Sequence, residues 1–504
     1  MTQQNPGGLH ERFLRGLALS ADRPALRIGS ETITYRDLHR QALTWAGSLR
    51  GAKVVGVLAG KTPTAYAGIL GALYAGATVV PLHPDFPTPR TQYMLELSRA
   101  TAVVADERGR AVLAGLGEDV PALEVVTPDP AHALSEPRTG TTPTDTAYML
   151  FTSGSTGRPK GVPISQGSTH HYFQLLDERY DFTPDDVFSQ TFDLNFDCAM
   201  FDLFCAWGSG ATVDVTPQTA YLDLPAYLDG HGVTVWFATP SAISLVRRMG
   251  GLTPGALPGL RWSLFAGEAL RAHDATDWQT AAPASTLENI YGPTELTVTI
   301  TGHRWNPATS PQRCVNGLVP IGQVHAGHDH VLVDEEDRET PVEGELLITG
   351  PQMSIGYLDP ADDAGRFAER DGRRWYRTGD RVRRLADGEL VYLGRLDSQV
   401  QVQGWRVELA EVEHALRSCE GVEDAVAAGA TTPSGTELVV YYTGEPRPAA
   451  RFARALRDVL PKGMLPRRFE HLPEFPLNSN RKVDRKELTQ RATDLLTRPN
   501  RPAA

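Results

Sequence analysis

Cysteine is scarce in this 504-residue chain: the four present, Cys198, Cys205, Cys314 and Cys419, are scattered and never in C-x-x-C spacing. That argues against a zinc ribbon and a disulfide framework and fits a reducing cytoplasm. Positive charge is in deficit, with 49 Lys and Arg against 61 Asp and Glu, which argues against nucleic acid as the main partner. The N-terminus, MTQQNPGGLHERF, lacks the basic and then apolar pattern of a leader. Long apolar runs are rare. The uncharged run 62–83 is rich in Ala and Gly and is bracketed by Pro63, Pro81 and Pro84. It reads as a buried helix over 65–75 followed by a short strand over 78–80, not as a membrane span. Several signatures are also missing: there is no G-x-G-x-x-G, no Walker A lysine loop and no G-x-S-x-G elbow.

What is present describes a globular protein with 41% apolar and 22% charged residues, long enough for about two to four domains. Strand-like runs at 54–58, 101–104, 233–238 and 262–265 alternate with Ala- and Leu-rich helical stretches, the pattern of α/β layers with parallel sheets. The texture changes after the turn Asp387-Gly388. A strand at 389–393, a helix at 408–417, a strand at 438–443 and a helix at 450–460 follow, the pattern of a small α+β domain. The boundary is expected near 395–398, dividing the chain into 1–396 and 397–504. Residues 446–504 carry 14 Lys or Arg against 6 Asp or Glu, a local +8 in a chain of net −12. Such a stretch is either a solvated basic face or a surface that steers an anionic partner.

The most informative stretch is FTSGSTGRPKG, residues 151–161. Gly154 and Gly157 remove Cβ atoms and let successive backbone N–H groups face an anion. Ser153, Ser155 and Thr156 add hydroxyls, and Lys160 adds a charge. The apolar AYMLF before it reads as a buried strand, and a strand feeding a small-residue loop is a common way to cradle phosphates. Spacing alone says "polyphosphate" and stops there. Three further patches stand out. NIYGPTE (289–295) ends in a carboxylate suited to magnesium, although a plain Gly-Pro turn has the same look. WYRTGD (375–380) ends in an Asp able to accept from a ribose diol, or simply to close a β-turn. PLNSNRKVD (476–484) holds Lys482 in a loop of turn residues.

Taken together and in order, YMLFTSGSTGRPKG, NIYGPTE, GELLITG…GY, YRTGD, GRLDSQVQVQGWRVE and PLNSNRKVD resemble the adenylate-forming superfamily of amino-acid adenylation domains, acyl-CoA ligases and luciferases. The match runs from about residue 63 to 487. The resemblance implies an α/β fold: a large N-terminal domain of α/β layers, two sheets plus a small barrel, and a small mobile α+β C-terminal domain. It also implies ATP and Mg2+ as cofactors and an AMP-forming ligase reaction. The family's nucleotide residues fall on Thr152, Ser153, Gly154, Ser155, Thr156, Gly157 and Lys160 of the loop, then on Gly267, Glu268, Asn289, Tyr291, Gly292, Thr294, Asp380, Tyr392 and Arg395. By the same resemblance Tyr291 stacks on adenine, Asp380 holds the ribose hydroxyls and Glu295 binds magnesium. Asp397 matches the hinge, and Lys482 the lysine that reaches the substrate carboxylate and the α-phosphate. Thr152, Glu295 and Lys482 form the catalytic set. In-line attack of a carboxylate on the α-phosphorus concentrates negative charge, so cations and amides must be placed beforehand.

FDCAMFDLF (196–204) aligns with F-D-x-S-V-W-E-x-F of amino-acid adenylation domains. Asp197 then falls where a carboxylate pairs with a substrate α-ammonium. A buried carboxylate without a cation is costly, which favours an amine substrate over a fatty or aryl acid. The side-chain pocket maps to Cys198, Phe201, Phe237, Leu264, Ala266, Ile290, Val298 and Thr299, an almost wholly apolar set. This implies a small neutral amino acid, alanine first, then proline, valine or serine, with a β-amino acid open. No condensation or carrier motif accompanies the match, so the protein is expected to be free-standing, similar to D-alanyl and prolyl carrier-protein ligases. Its partner is then a separate carrier protein with a phosphopantetheine arm, and the basic C-terminal stretch becomes a docking face. An acyl-CoA ligase using free coenzyme A is the alternative. Arg481, Gln401 and Gln403 depart from the family pattern, which leaves the details of thiol delivery open.

Overall fold

The computed structural model describes residues 8–116, 123–138, 140–154, 157–396, 399–432, 435–476 and 483–497. The chain clusters into two units. The larger comprises Met1–Pro84, Gln92–Phe151 and Gly161–Leu396; the smaller comprises Asp85–Thr91, Thr152–Lys160 and Asp397–Ala504.

In the larger unit, the run expected to be a buried helix and a strand forms the helix Pro63–Tyr74 and the strand Thr78–Leu82. Pro63 starts the helix where its missing N–H costs nothing. Ten of the helix's twelve residues are buried, which is why its apolar residues show no one-sided pattern. It packs on the helix Tyr35–Ser48, where Gly71 lets Trp45 approach closer than a Cβ would allow. Thr34 caps that second helix by accepting from the Asp37 N–H.

Among the described residues the larger unit holds three sheets. One has six strands in the order Glu124–Val126, Ala102–Ala105, Val54–Leu58, Thr78–Leu82, Thr146–Thr152 and Lys160–Ser165, and its first four strands pair in parallel. The second has nine strands in the order Gln323–Val324, Thr301–Arg304, Thr286–Tyr291, Trp262–Phe265, Val235–Ala238, Val187–Gln190, Thr212–Val215, Pro24–Ile28 and Glu31–Thr34. Its centre is parallel and each edge is closed by antiparallel strands. The helix Asp197–Ser209 is buried along almost its whole length and stops at Gly210, which is left-handed at φ 76°. The third sheet is antiparallel and five-stranded, and stands where a small barrel was expected. It comprises Asp329–Val333, Glu343–Thr349, Arg373–Arg384 and Phe367–Arg370, with Leu390–Arg395 on Arg373–Arg384. The strand at 390–395 therefore belongs to this sheet, although its texture grouped it with the small α+β segment. Local pattern identifies a strand; only pairing says which sheet takes it.

The smaller unit is α+β. Val422–Thr432, Gly435–Gly444 and Arg468–His471 form a three-stranded sheet, and Gln399–Val402 pairs with Trp405–Glu408 as a ribbon. The helices Leu409–Arg417 and Ala449–Arg457 bury Val412, Leu416, Phe452 and Leu456 against Val407 and Val440. The helix Arg485–Thr497 covers the sheet through Leu488 and Ala492. No helix among the described residues is long and apolar enough to cross a membrane.

Candidate active site

The strand Thr286–Tyr291 delivers the first group of candidate residues, since alternate side chains leave opposite faces of the sheet. Asn289 is buried and donates to the carbonyls of Pro320 at 2.8 Å and Val319 at 3.4 Å, so its N–H groups fix that loop. Tyr291 donates to Asp380 Oδ2 at 2.5 Å. Arg395 Nη1 reaches Asp380 Oδ1 at 2.8 Å and the Thr378 carbonyl at 2.7 Å. The sheet register explains the pair, because Asp380 and Arg395 stand directly opposite each other. Burial and the neighbouring Asp380 push the Tyr291 phenol well up, so it stays a donor. Tyr392 sits half-buried on the same strand as Arg395.

A tight turn follows Tyr291. A Cβ on Gly292 would strike the backbone of Val298 and Thr299, so only glycine lets the turn fold back on itself. Glu295 is 1% exposed and accepts from the Tyr357 hydroxyl at 2.5 Å. Its backbone carbonyl accepts from the Ser354 N–H at 2.8 Å. Thr297 and Val298 are both left-handed, at φ 59° and 66°, which is unusual for β-branched residues. Such positions cost on the order of 1–3 kcal/mol each and persist only when neighbours enforce them.

Asp197 opens the helix Asp197–Ser209 and is 9% exposed. Burial pushes its carboxyl up to about 6, with Glu295 adding in the same direction, while bonds from Thr294 and Cys198 oppose the rise. The structure therefore brings Asp197, Thr294 and Glu295 together. Phe201, Phe237, Leu264, Ala266, Ile290 and Val298 belong to one buried apolar cluster, and Cys198 packs against it. Thr299 is buried and shares a hydrogen bond with the Tyr172 hydroxyl at 2.9 Å. Phe192 also packs against the cluster, 4.8 Å from the Phe237 ring, and was not legible as a pocket residue beforehand. Gly267 is left-handed at φ 84°, and the Glu268 carboxylate accepts from the Ser241 N–H at 2.8 Å.

The glycine-rich loop lies in the smaller unit by clustering. A Cβ on Gly154 would run into the Arg158 carbonyl, and Gly157 is left-handed at φ 81° and faces His414. Ser153 donates to the Arg406 carbonyl at 2.6 Å, and Lys160 is 7% exposed. Thr152 ends the strand Thr146–Thr152 half-buried. Ser155, Thr156, Asp397 and Lys482 lie outside the described residues.

Two partners escaped sequence reasoning. Tyr357, which bonds Glu295, sits in the GY of GELLITG…GY, so its motif was visible but its partner was not. Gln352 stands in the same stretch and binds the turn after Glu295; nothing local marks it.

A model of the AMP-binding enzyme family matches residues 14–358. The chain is 33% identical to the L-proline--[L-prolyl-carrier protein] ligase of Streptomyces coelicolor, over 97% of this chain and 96% of that protein. It spans only 8% to 45% of the length of four other curated relatives it matches. Among solved structures it is 57% identical to IdnL7, covering 97% of this chain and 99% of that one with a TM-score of 0.75. It also resembles the Vibrio cholerae adenylation domain AlmE in complex with glycyl-adenosine-5'-phosphate, at 27% identity, a TM-score of 0.85, and coverage of 96% and 98%.

Proposed function

The chain belongs to the AMP-binding enzyme family, and on that premise we propose that it activates a small neutral amino acid with ATP and passes the aminoacyl group to the phosphopantetheine thiol of a carrier protein. The observation that carries this reading is Asp197. It is a buried carboxyl whose ionised form is opposed by burial and by Glu295 and favoured by hydrogen bonds from Thr294 and Cys198, neither of them a cation. A substrate ammonium supplies the missing positive charge, and a fatty or aryl acid does not. The apolar cluster beside it, narrowed by Phe192, Phe201 and Phe237, suits a small uncharged side chain, alanine first. The carrier-protein ligase named above, matching end to end at 33% identity, supports the thiol as acceptor.

In this reading the amino-acid carboxylate attacks the α-phosphorus of ATP, pyrophosphate leaves, and aminoacyl-AMP remains. Asp197 holds the ammonium so that the carboxylate faces the phosphate. Asp380, locked by Tyr291 and Arg395, accepts from the ribose hydroxyls. The backbone N–H groups of the glycine-rich loop, with Lys160, receive the outgoing phosphates. Glu295 is the residue suited to magnesium, which when bound neutralises phosphate charge. Lys482 is assigned the contact with both anionic reactants.

Amino-acid-dependent ATP–pyrophosphate exchange tests the reading. We expect exchange with alanine above that with large, charged or aromatic amino acids, and a severe loss in Lys482→Ala. Exchange with fatty acids and not with amino acids would reject it. AMP release on adding free coenzyme A without carrier protein would instead assign a coenzyme A ligase.

A further inference from the structure

The turn that follows Glu295 has an unusual support. Gln352 is fully buried, and its side-chain nitrogen donates to three backbone carbonyls: Leu296 at 3.0 Å, Thr297 at 3.3 Å and Thr299 at 2.9 Å. A carboxamide has two N–H groups, so at least one is shared among the three acceptors. The contact runs both ways, because the Thr297 hydroxyl donates to the backbone carbonyl of Gln352 at 2.7 Å. The Gln352 backbone N–H in turn donates to His328 Nε2 at 3.2 Å, and the Ser354 hydroxyl anchors the next residues with its single O–H shared between the carbonyls of Pro163 and Gly356, each 2.9 Å away. One side chain thus spans both ends of the left-handed pair Thr297-Val298, which β-branched residues adopt only under constraint.

We propose that Gln352 is a positioning residue for amino-acid selection: it clamps the Thr297-Val298 turn in the shape that places Glu295 at one end and Val298 and Thr299 at the other. The inference rests on the functional reading above, since it assigns those residues to the metal and side-chain sites. The physical argument is specific to the donors. A polar group at this position must donate, because three carbonyl oxygens converge on it. An apolar side chain of the same length takes the donor from the Leu296 and Thr299 carbonyls, while the Thr297 carbonyl keeps the Thr299 N–H at 2.9 Å, and a carboxylate adds repulsion. Without the clamp, Val298 is free to return to ordinary backbone angles, and its side chain moves relative to Ile290 and Phe237 in the same buried cluster. Gln352 touches neither substrate nor metal in this account and acts through the turn.

Two measurements test it. The first needs no activity. Hydrogen exchange of the wild-type protein is expected to show the amides of 297–300 as protected as the strand Thr286–Tyr291. In Gln352→Met, exchange over 297–300 accelerates about tenfold or more while that strand is unchanged. Rapid exchange of 297–300 in the wild type overturns the clamp, as does unchanged exchange in the variant. Should Gln352→Met not fold, Gln352→Asn is read in its place, since its donors are retained but pulled back by one methylene. The second measurement is the ratio of kcat/KM for alanine against 2-aminobutyrate in ATP–pyrophosphate exchange. This ratio does not depend on how much of the protein is active, so a merely destabilising change leaves it fixed. We expect it to shift about fivefold or more in Gln352→Met, within the range that one methylene commands in an apolar pocket. An unchanged ratio overturns the selection role. If the wild type shows no amino-acid-dependent exchange, the functional reading falls while the hydrogen-exchange result still decides the clamp.

Discussion

Tyr291 and Asp380, 89 residues apart in the chain, meet in a 2.5 Å hydrogen bond from phenol to carboxylate. Arg395 holds the other carboxylate oxygen at 2.8 Å, so the Asp380 side chain is fixed from both sides. Tyr291→Phe removes one hold and keeps the ring. A hydrogen bond to a charged group is worth about 1.5–3 kcal/mol. We expect KM for ATP to rise about tenfold or more, with amino-acid KM changed less, as read by initial-rate exchange kinetics.

Asp197 gives a pH signature. Only its ionised form pairs with an ammonium, and burial pushes its carboxyl up to about 6 in the free protein. kcat/KM for the amino acid should therefore fall as pH drops through about 6, with kcat/KM for ATP less affected. In Asp197→Asn that acid limb disappears and amino-acid KM rises steeply. An unaltered KM in Asp197→Ala would mean that the ammonium binds elsewhere.

The same carboxyl has a stability consequence. A free Asp titrates near 3.9, so the folded state holds its proton more tightly than the unfolded one. Stability from this group is fullest below about pH 4 and is lost as pH rises through about 6. Above pH 6, Asp197→Asn is expected to be more resistant to urea than the wild type, by on the order of 1–3 kcal/mol. Equal midpoints for the two proteins at pH 7.5 would contradict this.

Glu295 and Tyr357 should separate in severity. Glu295→Gln removes the proposed magnesium carboxylate and is expected to cut exchange by more than about 100-fold. Tyr357→Phe removes only the hydroxyl that orients it. Such supporting partners cost roughly 10–100-fold in metal affinity, so a raised magnesium requirement with a largely retained maximal rate is the expected readout.

Phe237 tests the size of the side-chain pocket. It is fully buried between Phe192 and Phe201, with ring centroids 4.8 and 5.0 Å away. Phe237→Ala opens space and loses about 3–5 kcal/mol of stability. Phe237→Leu is the gentler probe. Both are expected to shift exchange from alanine toward leucine or phenylalanine, measured as ratios of kcat/KM.

The sequence by itself determined the family, through six ordered motifs whose residue types are each demanded by a local task. It also determined the α/β class, because strands such as Val54–Leu58 and Trp262–Phe265 and the helix Pro63–Tyr74 are written in local apolar pattern and in a proline start. Tertiary structure alone decided who holds whom. Tyr357 finds Glu295 across 62 residues, Gln352 finds the carbonyl of Thr299 across 53, and the strand Leu390–Arg395 joins a sheet that its own texture did not announce. Local propensity acts over a turn or a pair of alternating positions. A buried polar group, in contrast, takes whichever partner the packed chain brings within about 3 Å, and that choice is made only when the sheets close around it.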